Sequence, residues 1–417
     1  MRILFLLPDF PYPPSTGGRK KVFSILQFMS RRHHCDLLCF GEITEAGRSG
    51  MAKLLPNVGI LGAVAPLSGI QKFIEIVWHL IRLLPPSTAR FSVARYKEAV
   101  KDALKSGNYD VVHYDIINMA QFVSLGGQFP SVHSPNDATS NVYFRLARSS
   151  RHYLVKIKLY VSALLLMLYE KETYGNFTKI HVVSNTDRRY LHRLNKNLDI
   201  DVIPISSGYA YNVSSKSNIE THVNAINDYL TIVVCGNFGD TAIRGGLSEV
   251  MEKVHPRLLE KFKNLRFLVL GRSMPLDMQV QICKAPNVEY SSWIENFDDF
   301  IRDADVVLLP DMAGAPGAKT RVVQAMALGL TVVGTRSALE GVPLTNGTHG
   351  VIYDSVEECT GALINLLGNT DLRRKIGLAA ANLAANEYSI DRVGPMYEAL
   401  YVSAVEKYRL LNGDGQG

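Results

Sequence analysis

Cysteine is scarce in this chain: five among 417 residues, at Cys35, Cys39, Cys235, Cys283 and Cys359. No two of them stand in a CxxC spacing, which excludes a dithiol redox centre and a thiolate zinc site. An odd, scattered set fits a reducing compartment. Long hydrophobic runs are also missing. No stretch of about 20 apolar residues occurs, so no membrane-spanning helix is expected. The first apolar run, Ile3 to Leu7, is too short for the core of a secretion signal and stops at Pro8. A cytoplasmic protein is expected. An excess of one charge is lacking too. Lys and Arg number 45 against 39 Asp and Glu, a net charge of +6. That balance is too mild for nucleic acid and suits an anionic small substrate or an anionic membrane surface equally. No Asp-x-Asp pair stands in a context suited to a metal, so neither a metal nor another cofactor is expected.

What is present is ordinary for a folded chain, with 47% apolar and 20% charged residues and enough length for two α/β domains. Residues 2–7 form a continuous apolar run, the mark of a strand covered on both faces. A loop rich in proline follows and ends at Gly17 and Gly18. Residues 19–31 then read as a helix with Val22, Ile25, Leu26 and Met29 on one face. Residues 35–40 read as the next strand, which completes a βαβ unit and predicts a parallel sheet. Further strands are expected at 111–114, 131–133, 179–184 and 202–205, with a helix at 187–194. Together they make a first domain over residues 1–211.

Residues 212–228 are polar and read as a linker. A second α/β domain is expected over 229–388. Its strands fall at 230–236, 266–270, 305–309 and 330–334, and its helices near 246–262, 319–328 and 370–386. A last helix, 389–411 with its core at 391–411, follows the apparently complete second domain and is expected to cross back to the first. There is no internal repeat beyond two βαβ halves.

Two places carry chemistry. Gly17 and Gly18 lie between a strand and a helix, where bare backbone amides and the helix N-terminus favour an anion; the alternative, and the plainer reading of the pair alone, is a tight turn that needs positive φ. In the segment 305–335, a buried strand ends at Pro310, a loop of Gly and Ala follows, and Lys319 and Arg321 open a helix. Cations fit poorly with the positive end of a helix dipole unless an anion such as a diphosphate joins them. The alternative is a solvated basic turn. The small residues Ala325, Ala327 and Gly329 fit close helix–sheet packing.

This segment resembles the donor-binding signature of GT-B glycosyltransferases of family 4, closest to a branch associated with exopolysaccharide sugar transfer. The matching residues are Gly317, Lys319, Arg321, Val322, Val323, Gln324, Ala325, Met326, Ala327, Gly329, Val332, Val333 and Thr335. The opening loop and helix, PYPPSTGGRKKVFSILQFMSRRH, resemble the same family, as do VVCGNFGD at 233–240 and ALEGV at 338–342. The resemblance implies an α/β architecture of two Rossmann-like doubly wound domains facing a cleft. It implies acceptor binding by the N-terminal domain and nucleotide-sugar binding by the C-terminal one. Many members carry two glutamates where this chain has Pro316 and Gln324. The closest branch also lacks the first. Gln324 can still accept a ribose hydroxyl bond, without the charge that strengthens it.

The resemblance further implies an acidic or histidine side chain near the acceptor hydroxyl, and Asp137 and His133 are the candidates. Asp137 reads equally as a helix N-cap. Asn237 and Arg244 lie in the loop that the family uses to neutralise the leaving diphosphate, with helix dipoles and cations in place of a metal; Arg244 also reads as a solvated surface residue. Lys319 and Arg321 are expected near the diphosphate and Gln324 near the ribose, with Gly17, Gly18 and Gly317 allowing close approach. The expected activity is a retaining hexosyltransferase that moves a sugar from a nucleotide diphosphate sugar to a saccharide or lipid-linked acceptor, in polysaccharide or glycolipid synthesis. Alternatives are a nucleotide-sugar 2-epimerase and a non-catalytic GT-B binding subunit. Two stretches bear on the membrane. Residues 73–84, with Lys72, Glu75, His79 and Arg82 at helical spacing, read as an amphipathic helix suited to surface docking or to burial. Residues 153–169 read as a core helix. Peripheral contact with the inner face of the membrane is therefore a further expectation.

Overall fold

The computed structural model describes residues 1–150, 152–208, 229–292, 297–312, 317 and 319–413. The linker expected at 212–228 lies outside them, as does Pro316. The chain forms two compact units, Met1–Pro204 with Val393–Gly417, and Ile205–Arg392.

The first unit is built on seven strands: β1 (Arg2–Leu7), β2 (His34–Phe40), β3 (Val58–Val64), β4 (Val111–Asp115), β5 (Ser131–Asn136), β6 (Lys179–Val182) and β7 (Ile200–Val202). They pair in the order β3-β2-β1-β4-β5-β6-β7, all parallel. Parallel strands need crossovers, and the crossover helices cover both faces of the sheet, which is why β1 is apolar along nearly its whole length and β4 is buried throughout. The helix Gly17–Met29 starts where Thr16 Oγ1 accepts the Arg19 amide, and it buries Val22, Ile25, Leu26 and Met29. The final helix, Ile390–Gly413, counts with this unit from Val393 onward. It buries Tyr397 and Tyr401, whose hydroxyls lie 3.3 Å from His181 Nε2 and 3.0 Å from His113 Nδ1. Lys407 Nζ bonds Asp199 Oδ2 at 2.9 Å.

The second unit carries six parallel strands, β8 (Leu230–Asn237), β9 (Leu265–Arg272), β10 (Val288–Ser291), β11 (Val306–Leu309), β12 (Thr331–Thr335) and β13 (Val351–Tyr353), in the order β10-β9-β8-β11-β12-β13. Its helix Thr241–Glu249 runs through a π turn, Val250–Val254, into His255–Lys261. That helix therefore begins five residues before the expected Gly246. Gly246 sits against the end of β11, where an added Cβ would stand 1.7 Å from the Pro310 carbonyl oxygen.

Several boundaries differ from expectation for identifiable reasons. The strand expected at 202–205 ends at Val202, two residues before Pro204, which has no amide to pair. The strand expected to reach Ser184 ends at Val182, because Ser184 caps the next helix by accepting the Asp187 amide at 3.1 Å. The helix read at 73–84 spans Gly69–Ile81, and Leu83 takes a left-handed φ of 55°. It is not a core helix: of its residues only His79 is buried. The core reading of residues 153–169 holds for half of the Tyr153–Thr173 helix. Leu165, Leu166 and Tyr169 are buried, while Leu154 is 81% exposed.

Candidate active site

In each sheet the winding direction reverses once, between β1 and β4 and between β8 and β11. Loops beyond the carboxyl ends of such strands are where doubly wound sheets bind ligands.

In the second unit, the loop after β11 and the start of the Thr320–Ala327 helix meet the end of β8. Arg321 lies at the centre. Its Nη1 donates to the Cys235 carbonyl at 2.7 Å and its Nη2 pairs with the Asp311 carboxylate. Asp311 is almost fully enclosed. Burial lifts its carboxyl above the ordinary range, and the nearby charges of Arg321 and Lys319 offset this only in part. Its second oxygen, Oδ1, has no hydrogen-bond partner among the described residues. Thr335 Oγ1 donates to the Asp311 carbonyl at 2.5 Å and accepts the Ala338 amide at 3.0 Å, fixing the loop to the end of β12. Lys319 takes the N-cap position and makes no side-chain cap; its Nζ donates to the Ser337 carbonyl at 2.7 Å. Gly317 is buried at the bend before it. Arg321 is thus a residue that braces the loop, while Lys319 stands at the amide-rich helix start.

Around the end of β8, Asn237 Oδ1 accepts the Gly239 amide at 3.2 Å and Asp240 caps the next helix through the Ala242 amide at 2.8 Å. Arg244 is not the solvated surface residue weighed above. Its Nη1 folds back to the Phe238 carbonyl at 3.2 Å. Gln324 is buried, and its Nε2 donates to Asp298 Oδ1 at 3.1 Å.

In the first unit, Gly17 and Gly18 form the first turn of their helix, and neither has a positive φ. A Cβ at Gly18 would meet open space. The tight-turn explanation therefore fails for both. Asp137 follows β5 and is half-buried. It is not the N-cap of the Thr139–Ser149 helix; that position belongs to Ala138, with no side-chain cap. The first amides of this helix are satisfied from a distance: Asp187 Oδ1 accepts the Ala138 amide at 3.0 Å and Glu170 Oε1 the Ser140 amide at 3.1 Å. His133 is wholly enclosed in the core, with its ring stacked on Phe177 and its Nδ1 donating to the Tyr114 carbonyl at 3.1 Å. Burial pushes its pKa down to about 3. A neutral imidazole enclosed in this way cannot exchange a proton with a sugar hydroxyl, so His133 is withdrawn as a catalytic candidate.

Sequence reasoning missed the polar centre of this unit. Lys21, on the buried face of its helix, pairs with Asp115 at the end of β4, and its Nζ donates to Ser134 Oγ at 3.0 Å and Asn136 Oδ1 at 2.6 Å. Burial alone would raise the Asp115 carboxyl, but Lys21 and His113 outweigh it and hold it low. His181 continues the network: its Nε2 donates to the Ile203 carbonyl at 2.9 Å, so its Nδ1 accepts from the Ser134 hydroxyl at 2.9 Å. Asn136, next to Asp137, is held at a φ of 72°. The signal was available in the helix pattern, because position 21 precedes Ile25 by one turn and falls on the apolar face.

Two seven- and six-stranded doubly wound parallel sheets, arranged in this order along the chain, define the GT-B fold. Solved structures agree over nearly the whole length. Sucrose-phosphate synthase from Thermosynechococcus elongatus superposes with a TM-score of 0.68 at 15% identity, covering 97% of this chain and 99% of that one. HepE from Anabaena, solved with UDP and glucose, gives 0.63 at 12% identity, covering 97% and 100%. The E. coli trehalose-6-phosphate protein, bound with UDP-2-fluoro glucose, gives 0.62 at 12%, covering 96% and 98%. Residues 230–369 match the family model described as Glycosyl transferases group 1. That match lies within the second unit. None of the curated proteins compared matches the chain.

Proposed function

We propose that this protein transfers a hexose from a nucleoside diphosphate sugar to a saccharide or lipid-linked acceptor in polysaccharide or glycolipid synthesis, with retention of configuration. The observation that carries this reading is the braced loop at the switch point of the second sheet. Arg321, Asp311 and Thr335 fix the backbone there, so that Gly317, Lys319 and the first amides of the Thr320–Ala327 helix form a preorganised anion site. Solved relatives of the same fold bind UDP and UDP-sugars, which favours a uridine donor here. In the reaction the bond from the anomeric carbon to the diphosphate oxygen breaks as the acceptor oxygen bonds to the same face of that carbon, and the acceptor hydroxyl proton passes to the departing diphosphate oxygen. Lys319, the helix amides and Arg244 stabilise the departing diphosphate, and no metal is required. Asn237 and Gln324 serve the donor, Gln324 on the ribose side.

Asp137 holds the acceptor hydroxyl on the first unit, and Gly17 and Gly18 leave the start of their helix open to an anion. Asp137 is favoured because the N-cap role that competed for it belongs to Ala138. The reading extends to the branch associated with exopolysaccharide sugar transfer, with the protein in the cytoplasm at the inner face of the membrane. Its five cysteines are all free thiols, which fits a reducing compartment.

Incubation with radiolabelled UDP-hexoses and lipid or saccharide extracts tests the reaction. Label moving to an acceptor with release of UDP supports it. Label returned as an isomeric UDP-sugar supports the epimerase, and donor binding with no turnover supports a non-catalytic GT-B subunit.

A further inference from the structure

We propose that the first unit docks on an anionic lipid bilayer through the Gly69–Ile81 helix. Large apolar side chains along it are exposed, among them Ile70, Phe73, Ile74, Trp78, Ile81 and the following Leu83, and Ile70 is 78% exposed. Only His79 is buried. A helix that turns its apolar side chains to water gains nothing from its own fold, and burying that area is the largest stabilisation open to it.

The charges say what covers it. Lys72 and Arg82 stand exposed at its two ends, and the Arg82 guanidinium lies 5.6 Å from the Trp78 ring centre. Glu75 is the one carboxylate between residues 69 and 83, and it turns to His79, with Oε1 3.4 Å from Nδ1. Cations that flank an apolar face, together with a tryptophan at its edge, match the boundary of an anionic membrane. The core of a protein–protein interface, by contrast, is depleted in lysine. At about 1.5 Å per residue the helix is roughly 20 Å long, well short of the roughly 30 Å hydrocarbon core, so it lies in the membrane plane. A second exposed stretch has the same chemistry: Tyr153, Leu154 and Ile157 accompany Lys158, with no carboxylate before Glu170.

This inference deepens the membrane localisation above and does not rest on the transfer reaction. The test is co-sedimentation of the full chain with vesicles of phosphatidylcholine, with and without phosphatidylglycerol. Binding is expected only with phosphatidylglycerol, falling as salt rises. The triple variant Phe73→Ser/Trp78→Ser/Ile81→Ser is expected to lose at least about tenfold, with UDP binding and melting temperature unchanged. Lys72→Gln/Arg82→Gln is expected to lose about twenty-five-fold, about fivefold per cation. A readout that needs no change in the helix uses Trp293→Phe, which leaves Trp78 as the only tryptophan: its emission shifts to the blue on vesicles and is quenched by brominated lipid. The proposal is overturned if the wild type ignores phosphatidylglycerol vesicles at low salt, if the triple variant binds them undiminished, or if Trp78 is not quenched. It is also overturned if the chain forms a dimer that the triple variant disperses while neither binds vesicles, which assigns the face to a second copy.

Discussion

The amide of Gln324 donates to the carboxylate of Asp298 across 3.1 Å, inside the second unit. Many glycosyltransferases of the family this segment resembles have glutamate at the Gln324 position, and from sequence alone Gln324→Glu is expected to preserve or improve donor binding. The bond to Asp298 adds a cost in stability to that substitution. A carboxylate at this site would face Asp298 within hydrogen-bond distance in a buried setting, where two like charges cannot both persist. We expect Gln324→Glu to lower stability by about 1–3 kcal/mol at neutral pH, with recovery in Gln324→Glu/Asp298→Asn. Urea midpoints for the four proteins check this. A single variant as stable as wild type that binds donor more tightly would detach Asp298 from Gln324.

Lys21 and Asp115 form a buried pair that also holds Asn136. Removing one partner of such a pair strands a charge and typically costs about 3–5 kcal/mol. Lys21→Met is expected to fall in this range by chemical denaturation. The double variant Lys21→Met/Asp115→Leu should recover part of the loss, since no unpaired charge remains. Equal losses in the single and double variants would mean that the pair contributes nothing beyond packing.

Glu170 is buried beneath the start of the Thr139–Ser149 helix, and burial, opposed by bonds from Ser140, raises its pKa to about 7 from 4.5. The raised value means that the folded state holds the proton more tightly than the unfolded state. Its contribution is therefore complete below about pH 4.5 and is lost as pH rises through about 7. Glu170→Gln keeps a neutral side chain at every pH. It is expected to flatten this part of the stability profile and to exceed wild type at pH 8 by up to about 3 kcal/mol. Parallel wild-type and variant profiles between pH 4.5 and 8 would show that Glu170 does not titrate there.

Much of the fold was legible because buried parallel strands are nearly pure apolar runs. Residues 2–7, 35–40, 230–236 and 305–309 all became strands of the two sheets. What was missed lies at the sheet edges. β3 is interrupted by Gly59 and Gly62, and β10 and β13 are four and three residues long, too short for a periodic signal. The donor loop could be read from its cations and small residues, but not the division of labour within it. Arg321 and Lys319 look alike in sequence, and only the placement of Asp311 and the Cys235 carbonyl makes one a brace. His133 and Lys21 were misjudged for one reason. A titratable residue at the end of a strand or on a helix reads as accessible until the opposite elements are in place.

The proposed donor site is the loop between β11 and the Thr320–Ala327 helix, which would bind a nucleoside diphosphate with Lys319 as the charged contact. The direct measurement is calorimetric titration of UDP into wild type and Lys319→Ala, with EDTA present and melting temperatures as a control for folding. Wild type is expected to bind. Lys319→Ala is expected to bind more weakly by about 1.5–3 kcal/mol, the value of one hydrogen bond to a charged group, with its fold unchanged. Equal affinity in the two proteins, or no binding of UDP, ADP or GDP by wild type, would contradict the account.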